Sequence, residues 1–175
     1  MIQLSSLMWA MAVFFAIFGF MRGWNKEIIA VAGTVVAAFF LFQLDSIFRG
    51  LLYARVSRDQ AFLLQAGVFC SIVFVGYRTR SIVITRGVRN DLQTNILGAL
   101  VGFLNGYLIG GTLWYFLDIN EYPLAPLVVA PAPGSPSDQA RELLPIVILG
   151  GGLTGSGDFL TIAVIGLFLV VMFVI

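Results

Sequence analysis

Histidine is absent from this chain of 175 residues, and cysteine occurs once, as Cys70. Without histidine no Ser-His-Asp or Cys-His arrangement can be built, nor a histidine-bearing zinc site or a histidine-ligated haem. A single cysteine excludes an intramolecular disulfide and a thiolate-rich metal site, and leaves the redox compartment unread. Charge is scarce as well: 11% of the residues are Asp, Glu, Lys or Arg, against about 25% in soluble domains. The ten basic residues are spread over several loops and make no basic face, so the net charge of +1 points to no nucleic acid partner. These absences read as a non-enzymatic protein with no cofactor and no metal.

What the chain has is apolar surface. Hydrophobic residues make up 59% of it, and the mean hydropathy is +0.98. The expected fold is all-α: a polytopic transmembrane helical bundle with four core spans plus a fifth, C-terminal span. A span needs about 20 mostly apolar residues, and the segments that qualify are 3–21, 28–44, 61–77, 96–117 and 159–175. The division that follows is a four-helix membrane core over 1–118, a proline- and glycine-rich extracytoplasmic loop over 119–158, and the last span over 159–175. The first segment is expected to stay as a span, since no basic stretch precedes it and Met21-Arg22 is no cleavage site.

The stretch GFMRGWNKEI (19–28) interrupts the first apolar run and reads as the turn of a tight hairpin lying at the membrane surface. Arg22, Lys26 and Glu27 belong there among headgroups and water, and Trp24 fits an aromatic belt. Gly19 and Gly23 are placed to let the two joined helices approach.

Orientation follows from the basic residues. Arg22, Lys26, Arg78, Arg80, Arg86 and Arg89 make six on one side, while Arg49, Arg55, Arg58 and Arg141 make four on the other. The first turn and the third connection are then cytoplasmic, the N-terminus extracytoplasmic and the C-terminus cytoplasmic. Asp118, Glu121, Asp138, Glu142 and Asp158 suit the outer side. The 45–59 stretch and SIVIT (81–85) read as interfacial segments with membrane lipids as partners. All six prolines fall between Asn120 and Pro145, giving an irregular loop with a short helix from about Ser137. The apolar stretch after it is too short to cross, and either lies in the interface or re-enters.

The strongest pattern is in the fourth span. Gly98, Gly102, Gly106 and Gly110 recur every four residues and form a groove on one helical face, for a neighbouring helix of the same chain or for a partner subunit or second copy. Asn105 lies beside the groove and reads as an interhelical hydrogen-bonding group. Leu104 and Leu108 fall on other faces. Thr34, Gln65 and Ser71 share the hydrogen-bonding reading, and Cys70 reads as a small filler. The G-x-G-x-x-G within GGGLTGSG (150–157) lacks the strand and the Gly-Lys-Ser/Thr ending that phosphate binding needs. No acidic residue falls inside an expected span, which disfavours ion- or proton-coupled transport.

Two stretches resemble the membrane core of the colicin V production protein family. In GFMRGWNKEIIAVAGTVVAAFF (19–40), Arg22, Gly23 and Glu27 are in register with the family's Arg-Gly turn and following glutamate. In NILGALVGFLNGYLIGGTLWYFLD (95–118), Gly98, Gly102 and Gly106 are in step with its glycine-ladder helix, with Asp118 at the end. The resemblance covers about residues 10–118. Asn105 stands where members often carry a basic residue, Gln3 to Ser6 where they often carry an acidic one, and the proline-rich loop and fifth span resemble nothing in the family's usual tail. The resemblance implies a bacterial inner-membrane protein linked to bacteriocin production or export and to envelope physiology. The expected role is a scaffold or accessory subunit that docks through the glycine-ladder helix to a larger complex or to itself. The alternative is a passive channel or export component for a small solute.

Overall fold

The computed structural model describes residues 3–51, 56–78, 91–151 and 157–174, and among them every regular element is helical. Four long helices, α1 (Leu4–Arg22), α2 (Trp24–Leu51), α3 (Arg58–Arg78) and α4 (Asp91–Ile119), are each long and apolar enough to cross a membrane. In hydrocarbon the backbone must satisfy its own hydrogen bonds, and a continuous helix does so within one segment. The C-terminal helix α7 (Asp158–Val174) has 17 residues, about 25 Å, and is shorter than the other four.

The expected hairpin turn shrinks to one residue. Gly23 alone joins α1 to α2, at φ 77° and ψ 159°, a conformation open to glycine, and its N–H caps Gly19 O at 2.9 Å. The helices so joined hardly touch each other along their length, because α1 leans on α4 instead. Gly19 and Gly23 therefore serve the approach to α4, not the approach of α1 to α2.

The α1–α4 seam is close to backbone contact. A Cβ placed on Gly98 would come within 2.3 Å of Gly19 O, one on Gly102 within 2.3 Å of Phe15 O, and one on Gly106 within 2.6 Å of Met11 O. Gly110 is looser, with Met11 Sδ at 3.4 Å. Positions 98, 102, 106 and 110 thus meet 19, 15, 11 and 8 in antiparallel order. On the other side of the bundle, Ala30 and Gly33 of α2 face Gly76 of α3.

The core lies between these helices and is built on Met8, Ala37, Leu41, Phe69, Val73, Ile109 and Phe116. A smaller cluster joins α2 to α7 through Val31, Val35, Leu108 and Leu160. Leu108 is therefore a core residue, unlike exposed Leu104. Large apolar residues such as Phe14, Ile17, Met21, Leu63, Val75, Leu100 and Phe168 face outward, a surface suited to acyl chains.

The expected interfacial helix over 45–59 is not a separate element: α2 runs on through Leu51, and 52–55 fall outside the described residues. SIVIT falls outside them too, as do 152–156 of the glycine-rich stretch.

The proline-rich segment is more ordered than its composition suggests. Ser135 caps α5 (Pro136–Gln139), a 3₁₀ turn follows (Ala140–Leu143), and Pro145 opens α6 (Pro145–Gly150), at the first-turn position where its missing N–H costs nothing. Leu144, Ile146 and Val147 are buried, and Pro145 sits on Gly111 of α4. Gly111 is eight residues before Ile119, so α6 packs about 12 Å in from the end of α4.

Candidate functional site: a buried polar file between α2, α3 and α4

Glu27 is completely buried. Since the joint consumes only Gly23, the first turn of α2 contains Trp24 to Glu27, and Glu27 continues the buried stripe of Ala30, Val31, Thr34, Ala37, Ala38 and Leu41. Its placement in a turn is thereby corrected: Glu27 is a buried residue of α2, a helix long and apolar enough to cross a membrane. Lys26 lies exposed on another face, while Trp24 and Arg22 are half-buried at the joint.

Glu27 is linked to one side chain from each of the other three long helices: directly to Arg22 and Tyr77, and through Tyr77 to Asn105. Arg22 Nη1 pairs with Glu27 Oε1 at 2.5 Å. Arg22 Nη2 donates to Tyr77 O at 3.0 Å, and its guanidinium lies 4.4 Å from the Tyr77 ring centroid. The Tyr77 hydroxyl donates to Glu27 Oε2 at 3.2 Å and accepts from Asn105 Nδ2 at 2.6 Å. A lone buried carboxylate would be heavily penalised, and the pairing plus hydrogen bonds are what make it tolerable. The position in the first turn helps, because the helix N-terminus favours negative charge.

Asn105 is fully buried and turned from the glycine seam towards Tyr77 of α3. Its Oδ1 has no partner among the described residues, and neither has Thr112 Oγ1, seven residues on and hence on the same helical face. Thr34 and Ser71, expected to bond between helices, instead bond back to Ala30 O and Gly67 O of their own helices. Gln65 does bridge: its Nε2 donates to Asp45 Oδ1 at 3.0 Å, while its Oε1 accepts from Asn120 Nδ2 at 2.6 Å. Cys70 faces outward and fills no core space.

Asn120 also lines a cavity of about 230 Å³ bordered by Ser57, Arg58, Ala61 and Glu121 at the far end of the bundle. Between the two polar groups lie Phe69 and Phe116, both buried, edge to face with centroids 5.8 Å apart. Polar, aromatic and polar layers thus follow one another along α3 as Tyr77, Phe69, Gln65 and along α4 as Asn105, Phe116, Asn120.

A separate clasp closes the end of the bundle where α4 stops. Arg141 Nη2 donates to Asp118 Oδ2 at 2.8 Å and its Nη1 to Asp138 Oδ1 at 3.4 Å. The hydrogen bond to Asp118 comes first among the causes that raise the Arg141 pKa. The Tyr122 hydroxyl donates to Asp118 and accepts from Trp114 Nε1. Burial, with the Asp118 carboxylate beside it, pushes the Tyr122 pKa up to about 12. The two carboxylates that converge here hold a guanidinium in place. Among the described residues no three His, Cys, Asp or Glu groups gather as a metal site.

Sequence reasoning found Arg22, Glu27 and Asn105 but did not bring them together, and it passed over Tyr77. The available signal was the buried spacing of α2: extended backward from Leu41 through Thr34, it lands on Glu27. No family model, curated protein or solved structure matches this chain.

Proposed function

We propose that this chain is a non-enzymatic scaffold or accessory subunit of a bacterial cytoplasmic membrane complex. It is multi-pass, with an extracytoplasmic N-terminus, and α7 serves as a fifth span. The observation that carries this reading is the α1–α4 seam. Backbone-level packing makes the pair one rigid unit, and Trp9 stacks along its outer side on Phe103 and Tyr107, with centroids 6.1 and 5.6 Å away. Trp and Tyr dominate binding energy at protein interfaces.

The glycine face itself is filled by α1, so the docking surface moves from the groove to this aromatic row, and the partner is an apolar membrane helix. Charge at the bundle ends supports the orientation: Arg22, Lys26 and Arg78 gather at one end and Asp118, Glu121 and Asp138 at the other. The likeness of 19–40 and 95–118 to the colicin V production core suggests envelope physiology and bacteriocin export as the setting.

Native-mass analysis after gentle extraction tests the proposal. The expected particle contains a partner at constant stoichiometry that Trp9→Ala with Phe103→Ala releases while the helices stay folded. A strictly monomeric particle would end this reading.

A further inference from the structure

We propose that α2, α3 and α4 enclose a proton path that enters at the Asn120 cavity, is gated by Phe69 and Phe116, and discharges through Glu27 past Arg22. It stands apart from the docking role, which reads a different surface.

The axial order carries the argument. Helices α3 and α4 run antiparallel, with Gln65 on Asn120 at one end, Phe69 on Phe116 one turn further in, and Tyr77 on Asn105 at the other end. From Asn120 inward, the side chains on this face of α4 are Phe116, Thr112 and Asn105, at steps of about 6, 6 and 10 Å. A buried aromatic layer therefore separates two polar stretches, the arrangement by which apolar constrictions gate a pore.

On the Glu27 side of that layer, Asn105 Oδ1 and Thr112 Oγ1 are buried with no partner among the described residues. Leaving such atoms unsatisfied costs about 1–3 kcal/mol each, and water is their ordinary partner in protein interiors. At a separation of about 10 Å along the helix, one bridging water cannot reach both, so the path would run through a short file of waters between them.

The proton is the cargo this geometry suits. A metal cation would need its hydration shell replaced by several oxygen ligands, and the pair Glu27–Arg22 offers no net negative charge. A proton needs only a continuous hydrogen-bond file and a titratable acceptor. In the step, the water on Asn105 takes up a proton from the cavity side of the file and passes one to the Tyr77 oxygen as the Tyr77 O–H proton moves to Glu27 Oε2, so the water is left neutral. Tyr77 ends neutral, Glu27 becomes a neutral acid, and Arg22 keeps its charge on Tyr77 O and the Tyr77 ring. Glu27 then releases its proton to water beside Arg22, whose side chain is 20% exposed, and the ion pair re-forms. Among the described residues, the titratable or charged groups facing Glu27 are Arg22 from α1 and Tyr77 from α3; α4 contributes uncharged Asn105, and Lys26 of α2 faces out.

The test is proton flux in vesicles containing the purified full-length chain, driven by a potassium diffusion potential and read by an internal pH dye. A trapped inert dye reports leakage. Wild type should exceed protein-free vesicles, Phe116→Ala should raise the flux several-fold, and Glu27→Gln should return it to the protein-free level in both backgrounds. Infrared titration should show a protonated-carboxyl band in wild type that Glu27→Gln removes. Tyr77→Phe, which keeps the ring under Arg22, should block flux as well and stands in if Glu27→Gln does not fold. Flux of Phe116→Ala left intact by Glu27→Gln or Tyr77→Phe would overturn the path, as would wild type and Phe116→Ala both matching protein-free vesicles.

Discussion

Arg22 ends α1 and Glu27 lies in the first turn of α2, and they meet as a 2.5 Å ion pair whose carboxylate is completely buried. The pair spans the one-residue joint and is tied to α3 and α4 through Tyr77 and Asn105. Removing one partner of a buried pair leaves the other charge uncompensated, at about 3–5 kcal/mol. Glu27→Ala should therefore lower the unfolding temperature sharply, and combining Arg22→Met with Glu27→Leu should recover most of the loss. Thermal unfolding in one detergent compares them.

The glycine seam makes a graded prediction. A Cβ at Gly102 or Gly106 meets a backbone carbonyl that cannot rotate away, so Gly102→Val or Gly106→Val should cost about 1–3 kcal/mol or more by displacing α1. Gly110→Ala, facing the flexible end of Met11, should be tolerated. Leu104→Val on the exposed face should stay within about 0.5 kcal/mol. Leu108→Val should fall between, because Leu108 packs in the cluster that joins α2 to α7. Equal behaviour of the glycine and Leu104 variants would remove the packing argument.

Gly23 holds φ 77° and ψ 159°, and Thr94 Cγ2 lies 3.2 Å from where its Cβ would be. Backbone of this kind costs a side-chain-bearing residue about 1–3 kcal/mol. Gly23→Ala should lose stability in that range and loosen the contact between Arg22 and Glu27, detectable as faster hydrogen exchange in the first turn of α2.

The clasp of Asp118, Arg141 and Tyr122 should show itself in alkali. Burial, with the Asp118 carboxylate beside it, pushes the Tyr122 pKa from its ordinary 10.0 up to about 12. A pKa raised by folding means that the neutral form is favoured in the native state, so this contribution is complete below pH 10 and disappears as pH climbs to about 12. The stability difference between wild type and Tyr122→Phe should shrink over that window. A difference that stays constant from pH 9 to 12 would contradict the burial of the hydroxyl.

Much of the architecture was legible because a membrane helix is specified by local composition. The apolar runs 3–21, 61–77 and 96–117 correspond to α1, α3 and α4 to within a few residues, since hydrocarbon permits no other backbone solution at those lengths. The connections were less legible. Six prolines marked 120–145 as irregular and a short helix was legible at Ser137, but the Asp118–Arg141 pair and the seat of Pro145 on Gly111 were not, because these are contacts between residues far apart in sequence.

The sequence by itself determined that the chain is helical and apolar, that four glycines share a face of α4, and that Arg22 and Glu27 flank a break between helices. Only the tertiary structure decided what each meets. A helix face acquires its partner from the packing of the whole bundle, so α1 rather than α2 took the glycine groove. The length of one joint then set the rotation of α2. With Gly23 alone between the helices, Glu27 falls in the first turn of α2 and turns inward to Arg22 and Tyr77.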